Sequence, residues 1–266
     1  MSAVRVSVLL PVGPQSPYLS ETLQSLKLQT FTDWELIIVL DGNVQANRLI
    51  VASAGLEVPV VVIEHTTPQG ISRSLNAALH RASGDLIARI DADDVCHPER
   101  FAKQVAQFDL DEELMLLGTS ATVIDGNGEP QGTRIVPTTD ATLRRRLIWR
   151  NSFIHPSVMF RKNAAILIGG YNIHCTRTED YELWLRLSLC GNVDNLAEPL
   201  IGYRVHAGQH TTGRQGISKN ESKALLAMKL QLAKQEGTAQ FIARLIHFIW
   251  EWNRTPHRFL PRSSSN

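Results

Sequence analysis

The chain has 266 residues, 43% of them hydrophobic and 20% charged, and a formal net charge of +1. Such a composition supports a real core and excludes a disordered polymer, and a near-neutral chain is no electrostatic glove for nucleic acid, so no nucleic-acid partner is expected. The charge is uneven: from Arg214 onward nine Lys and Arg stand against three Asp and Glu, a local net of +6, whereas residues 1–213 carry 18 basic and 23 acidic side chains, a net of −5.

The segment Met1-Ser2-Ala3-Val4-Arg5 has no signal-peptide layout, and no apolar run is long enough to span a membrane. Residues 4–10 are β-rich and give way to a loop at Pro11-Val12-Gly13-Pro14. Apolar positions 19, 23 and 26 predict a helix over 19–28. ELIIVL at 35–40 is a second buried strand, ending in the turn Asp41-Gly42-Asn43. A short helix over 45–54 leads to a third strand at 58–63, a helix over 71–82 stopped by Gly84, a fourth strand at 85–90 and a helix over 97–108. This alternation predicts a parallel sheet with helices on both faces.

The rhythm then changes. Strands are expected at 114–119 and 121–124, then a hairpin turn at Asp125-Gly126-Asn127-Gly128 and a return strand at 131–136. A helix over 139–149, a short strand at 157–160, a helix over 179–189 and a last strand at 200–205 follow. Beyond Gly213 the chain turns helical and basic, and Ser263–Asn266 is a polar end. Cys96, Cys175 and Cys190 share no metal-site spacing, which points to a reducing, cytoplasmic compartment.

The chemistry concentrates in Ile87-Ala88-Arg89-Ile90-Asp91-Ala92-Asp93-Asp94, where a buried strand ends in three carboxylates within four positions. Carboxylates so close repel unless a divalent cation lies between them; hard oxygens suit Mg²⁺ or Mn²⁺, ions that also hold substrate phosphates. In open α/β sheets, ligands gather where strands end. The plainer reading is an acidic loop, with Asp94 as N-cap of the next helix. Three other polar clusters fall at strand ends or helix starts: Asp41, the segment from Gly70 to Asn76, and Thr178-Glu179-Asp180-Tyr181.

With these clusters in place, the chain resembles the family 2 glycosyltransferases of GT-A fold. The match is carried by VSVLLPV at 6–12, ELIIVLDGN at 35–43, GISRSLNAAL at 70–79 and ASGDLIARIDADD at 82–94, then by HPSVMFRK at 155–162, GGY at 169–171, TEDYELWLRL at 178–187 and EPLIGYRVH at 198–206. The resemblance implies an α/β chain with a Rossmann-like mixed sheet flanked by helices over 1–213, and a basic amphipathic helical tail over 214–266. It implies an inverting, metal-dependent transferase that moves a sugar from a nucleotide-diphospho-sugar, a UDP-sugar above all, to a glycan or lipid-linked glycan in bacterial surface-polysaccharide synthesis.

Position by position, the resemblance makes Asp91 and Asp93 the DxD pair, Asp91 facing ribose or metal and Asp93 ligating Mn²⁺ or Mg²⁺, with His206 completing the metal shell. Pro11 and Val12 line the nucleoside pocket. Asp41 reads the base, although Leu40 stands where the family carries a further acid. Arg73 and Asn76 flank the base and diphosphate. Asp180 is the catalytic base, because an inverting transfer needs one carboxylate to take the acceptor hydroxyl's proton. Glu179 reads more simply as a favourable helix-start charge, His155 as a positioning residue, Tyr181 and Trp184 as core and pocket wall, and Arg186 as a partner for local acids.

The tail carries apolar residues at 242, 245, 246, 249 and 252, one stripe at helical spacing, beside Arg254, His257, Arg258 and Arg262. It suits peripheral contact with the inner face of the cytoplasmic membrane, a dimer interface, or packing on the catalytic domain. Two rival functions stand beside transfer: a sugar-phosphate nucleotidylyltransferase and a non-catalytic nucleotide-sugar binding module. The first needs a Gly-rich loop with a basic residue after strand one, where this chain has PVGPQSPY; the second makes no use of a paired Asp93 and Asp180.

Overall fold

The uninterrupted apolar runs at 6–12 and 34–41 become two adjacent parallel strands, β1 (Val6–Val12) and β2 (Trp34–Asp41), buried along their whole length. A continuous run, rather than alternation, is what a strand covered on both faces requires. The remaining strands of this computed structural model are β3 (Val60–His65), β4 (Leu86–Arg89), β5 (Val95–Cys96), β6 (Leu114–Ile124), β7 (Pro130–Arg134), β8 (Met159–Arg161) and β9 (Asn192–Arg204). The helices are α1 (Leu19–Lys27), α2 (Val44–Ser53), α3 (Ile71–Arg81), α4 (Arg100–Leu110), α5 (Asp140–Trp149), α6 (Lys162–Leu167), α7 (Glu179–Ser188), α8 (Lys219–Gln235) and α9 (Gln240–Arg254). The structure describes residues 4–14, 16–42, 44–206 and 216–254. Asn43, the boundary at 213/214, His257, Arg258, Arg262 and the polar end lie outside the described residues.

The strands form one mixed sheet in the order β3-β2-β1-β4-β8-β6-β9-β5, with β7 paired to β6. The parallel sheet expected over the first hundred residues is formed by β1 to β4, and β6 also runs parallel to β9, whereas β8 enters antiparallel to both β4 and β6. On one face Leu9, Ile37, Val39 and Ile87 pack under α3, α5 and α7. On the other, Val8, Leu10, Leu36 and Ile38 pack under α1 and α4.

Several boundaries differ from the sequence reading, each for a physical reason. Pro11 and Val12 are not loop: they finish β1, paired with Val39 and Leu40. The Leu9 carbonyl accepts from the Ile90 N–H, so Pro11, two residues on, turns the same backbone edge toward β4, which has already ended at Arg89. A proline there forfeits no ladder hydrogen bond. Gly84 does not stop α3, whose cap is Ala82. It is a close-approach glycine, since a Cβ there would lie 2.8 Å from the Ser7 nitrogen. Residues 114–124 form one strand with register shifts rather than two, and β9 runs for 13 residues where only its end was expected. The two-residue β5 and the six-residue α6 carry no sequence periodicity to betray them.

The inner face of α8 and α9 packs on the preceding part of the chain. Leu225, Leu232, Ala233, Ala243 and Ile246 share one core with Leu143, Leu147 and Leu187. Ser218 caps α8 in a reciprocal box with Glu221. The buried Glu221 carboxylate also accepts the N–H groups of Thr176 and Arg177, 2.8 and 2.9 Å away. Arg144 of α5 bonds the Glu236 carboxylate at 2.6 Å. The single stripe read from the sequence is split: Ile246 is buried, whereas Leu245, Ile249 and Trp252 are exposed.

Candidate active site

The carboxyl ends of β1, β2 and β4 and the start of α7 meet at one edge of the sheet. Carboxylate oxygens of Asp91, Asp93 and Asp94, one from each, lie within 4.8 Å of one another just past β4. Asp91 is ion-paired with the buried Arg89. Asp93 meets the His206 imidazole, Nε2 to Oδ2 at 3.0 Å. Asp94 is not a helix cap: α4 starts at Arg100, after Glu99. Asp94 is buried, takes the Arg204 N–H at 2.8 Å on Oδ1, and its Oδ2 has no hydrogen-bond partner among the described residues.

Burial, then the neighbouring acids, pushes the carboxyls of Asp93 and Asp94 above the usual range, Asp94 well above. A buried orphan oxygen amid mutually repelling carboxylates, with an imidazole beside them, fits a hard divalent cation such as Mn²⁺ or Mg²⁺. Asp91 and Asp93, predicted from the sequence, are thus brought together with Asp94, and His206 joins them through its contact with Asp93 rather than as a fourth member of the cluster.

Arg204 is the residue sequence reasoning missed here. Fully buried at the end of β9, it bonds the Asp93 carbonyl at 2.7 Å and the Asp125 and Gly126 carbonyls of the hairpin turn, and pairs with Glu21 at 2.6 Å. Its guanidinium sits 4.3 Å above the Tyr18 ring, and Tyr18 in turn meets the His206 ring edge-on at 5.1 Å. One cation thereby fixes the acidic loop, the hairpin and the start of α1.

Asp41, at the end of β2, takes the Gln69 N–H at 2.7 Å on one oxygen and the Gly70 N–H at 2.8 Å on the other, with His65 Nδ1 at 2.9 Å. Burial alone would raise its carboxyl; these donors hold it below the usual range. Asp41 thus shapes the 65–70 loop that leads into α3. Arg73 is exposed on the first turn of that helix. Asn76 is engaged at both ends of its amide by the Tyr171 backbone, 2.8 Å each way. The Gly169-Gly170 turn before Tyr171 has φ of 90° and 67°, and a Cβ on Gly170 would stand 2.5 Å from Asn76 Oδ1. Arg186 holds the same turn through the Ile168 and Gly170 carbonyls, both at 2.7 Å, while bonding Glu182.

Asp180 lies in the first turn of α7, where the helix dipole favours negative charge. Asn151, which no sequence pattern marked, donates Nδ2 to Asp180 Oδ2 at 2.6 Å. Glu179 beside it is more than a surface charge: its Oε2 is buried with no hydrogen-bond partner among the described residues, and its carboxyl is pushed up to about 8, by burial first and then by Asp180. The Tyr171 phenol, raised by burial, lies in the electrostatic field of Arg89, Asp180, Glu179 and Asp91. His155 faces Tyr171 at 3.3 Å and is held neutral by burial and by Arg89. Trp184 is fully buried against Phe153, His155 and Phe160, and Tyr181 bonds the Leu147 carbonyl, the core roles expected of both.

Residues 7–169 match the model of a family described as "Glycosyl transferase family 2". The chain is 33% identical over 265 residues to the amylovoran biosynthesis glycosyltransferase AmsE of Erwinia amylovora, covering 98% of this chain and 95% of the relative. It is 29% identical to an Escherichia coli UDP-Gal:alpha-D-GlcNAc-diphosphoundecaprenol beta-1,3-galactosyltransferase, covering 80% and 78%. Among solved structures, S. aureus TarS 1–349 in complex with UDP-GlcNAc superposes with a TM-score of 0.73 at 19% identity, over 94% of this chain and 72% of that one. That likeness is one of fold, the GT-A fold.

Proposed function

Since the chain belongs to glycosyl transferase family 2, a glycosyltransferase family with relatives in bacterial polysaccharide synthesis, we propose that it is an inverting transferase. It takes a sugar from a UDP-sugar and passes it to a glycan, lipid-linked where the polymer grows on a lipid. The observation that carries this reading is the pairing, at one sheet edge, of a cation-fitting acid cluster with a carboxylate at a helix start that Asn151 holds in place. The acceptor finds support in the relative whose name includes alpha-D-GlcNAc-diphosphoundecaprenol.

Asp180 takes the proton of the acceptor hydroxyl as that oxygen attacks the anomeric carbon from the side opposite the leaving group. Asn151 orients the carboxylate for this. Glu179, protonated at neutral pH, adds no second negative charge beside the base and can donate a hydrogen bond to a sugar hydroxyl. Asp91, Asp93 and His206 would hold Mn²⁺ or Mg²⁺, which when bound offsets the charge of the departing diphosphate. Pro11 and Val12 floor the nucleoside pocket, the Asp41-held loop forms its wall, Arg73 serves the diphosphate, and Asn76 acts through Tyr171. A nucleotidylyltransferase reading is not favoured, because no basic residue follows β1 in PVGPQSPY.

The test is incubation with UDP-sugars and Mn²⁺, reading released UDP. Asp93→Ala is expected to abolish turnover and cation-dependent nucleotide binding. Asp180→Asn keeps donor binding and loses transfer by about 10²–10⁴-fold. Pyrophosphate chemistry in place of UDP release, or full turnover by Asp180→Asn, overturns the reading.

A further inference from the structure

The outer face of α9 is apolar and exposed. Phe241, Leu245, Phe248 and Trp252 recur at helical spacing and are 56–71% exposed, with Ile249 beside them at 45%. Ile249 also borders a groove of about 420 Å³ between α9 and the end of α5, whose other walls are Trp149, Trp250, Arg146 and Arg150. Trp149 is 54% exposed. Arg146, Trp149 and Arg150 thus line the groove beside the apolar stripe, and Arg145, exposed one turn before Trp149, lies on the same side of α5 as Trp149. Arg244 flanks the stripe on α9, where Glu251 is the lone acid. The sequence that follows α9 carries Arg258 and Arg262 and no acid.

We propose that this face, the α9 stripe with the arginine-rimmed end of α5, seats the enzyme on an anionic phospholipid surface. An apolar helical face with aromatic residues inserts into the headgroup boundary, and each neighbouring arginine adds an attraction that salt screens. A second copy of the chain is the poorer occupant: a two-fold contact would set the same arginine rim against itself, which costs rather than gains energy. The face also stands at a telling place. Two residues past Trp149, Asn151 holds Asp180, so the bilayer would lie next to the acceptor side of the site. The surface binding itself does not depend on which donor or acceptor the enzyme uses.

The full chain, whose tail shares the main core, is mixed with phosphatidylglycerol-rich vesicles and with pure phosphatidylcholine vesicles and sedimented. Binding is expected to the anionic vesicles at low ionic strength, with partial release by salt. The double variant Leu245→Glu/Phe248→Glu is expected to lose partitioning by at least about 10²-fold, the worth of two large apolar side chains left in water. Its UDP-dependent thermal shift stays unchanged, which shows that it folds. Arg145→Gln/Arg150→Gln weakens binding by about fivefold per arginine and flattens the salt dependence. Indifference of the full chain to anionic vesicles overturns the proposal, as does equal binding by the Leu245/Phe248 variant. A stable dimer that the same variant turns into a monomer overturns it too, and makes the face an interface between copies.

Discussion

At the scale of single residues, the site divides into what runs of sequence announce and what only the fold assembles. Asp91, Asp93 and Asp180 are legible because acids crowded at a strand end or a helix start need a reason to be there. Asn151, Arg204 and the backbone of Tyr171 are not, because their partners lie 29, 111 and 95 positions away in the chain. Glu179 is the instructive case: in sequence it is one more acid at a helix start, and burial turns it into a group that holds its proton near neutrality. With its carboxyl pushed up to about 8, Glu179 ionises as the pH rises through that value and sets a second charge beside the base. Wild-type kcat/KM is therefore expected to fall above about pH 8, up to tenfold per unit. Glu179→Gln, neutral at every pH, keeps activity near neutrality and lacks that alkaline limb. A variant profile that falls in parallel with the wild type assigns the limb to another group.

At the scale of elements, strands and helices with long apolar runs are readable, and pieces held by tertiary contacts are not. β1, β2, α1, α3 and α7 fall within a residue or two of their expected places, as the continuous runs and helical spacings dictate. β5 exists because the end of β9 offers it a partner, and the first half of β9 because β6 does, a context no local pattern encodes. α8 falls where the sequence turns helical, and its first turn both caps itself and braces the loop before α7. Glu221→Ala removes both the return bond of the capping box and the acceptor for Thr176 and Arg177. It is expected to cost about 2 kcal/mol of stability and to lower kcat by loosening the approach to Asp180. Ser218→Ala breaks the cap but spares the loop contacts, so it lowers Tm and leaves kcat unchanged. Loss of kcat in both variants equally would mean that the tail acts only through overall stability.

At the scale of the whole molecule, the tail is part of the core, and its packing makes stability depend on pH. His247 is buried between α8 and α9, 2.9 Å from Ser222 and stacked on Trp250. Burial, then Lys229, lowers its pKa to about 4, with Glu251 opposing. Unfolded, a histidine titrates near 6.5, so between about 6.5 and 4 the unfolded chain binds the extra proton. This contribution is whole above pH 6.5 and is lost as pH falls toward 4, on the order of 3 kcal/mol in all. Thermal unfolding at pH 7.5 and 4.5 is expected to show a smaller loss of Tm for His247→Phe than for the wild type; equal losses would assign the acid sensitivity to carboxylates elsewhere.

The knot around Arg204 also has a consequence in time. The acidic loop is tied by residues 110 and 113 positions downstream, through the Arg204 N–H on Asp94 and the His206 ring on Asp93. Contacts of such sequence separation form late, since the whole intervening chain must first be ordered. During synthesis the first four strands can gather while the ribosome still holds β9, and the enzyme emerges as a scaffold whose chemistry is fastened last. A chain stalled before residue 204 would carry every acid of the cluster and no working pocket. In pulse-labelling of refolding protein, the Arg204 amide is expected to gain protection after the amides of β1 and β2.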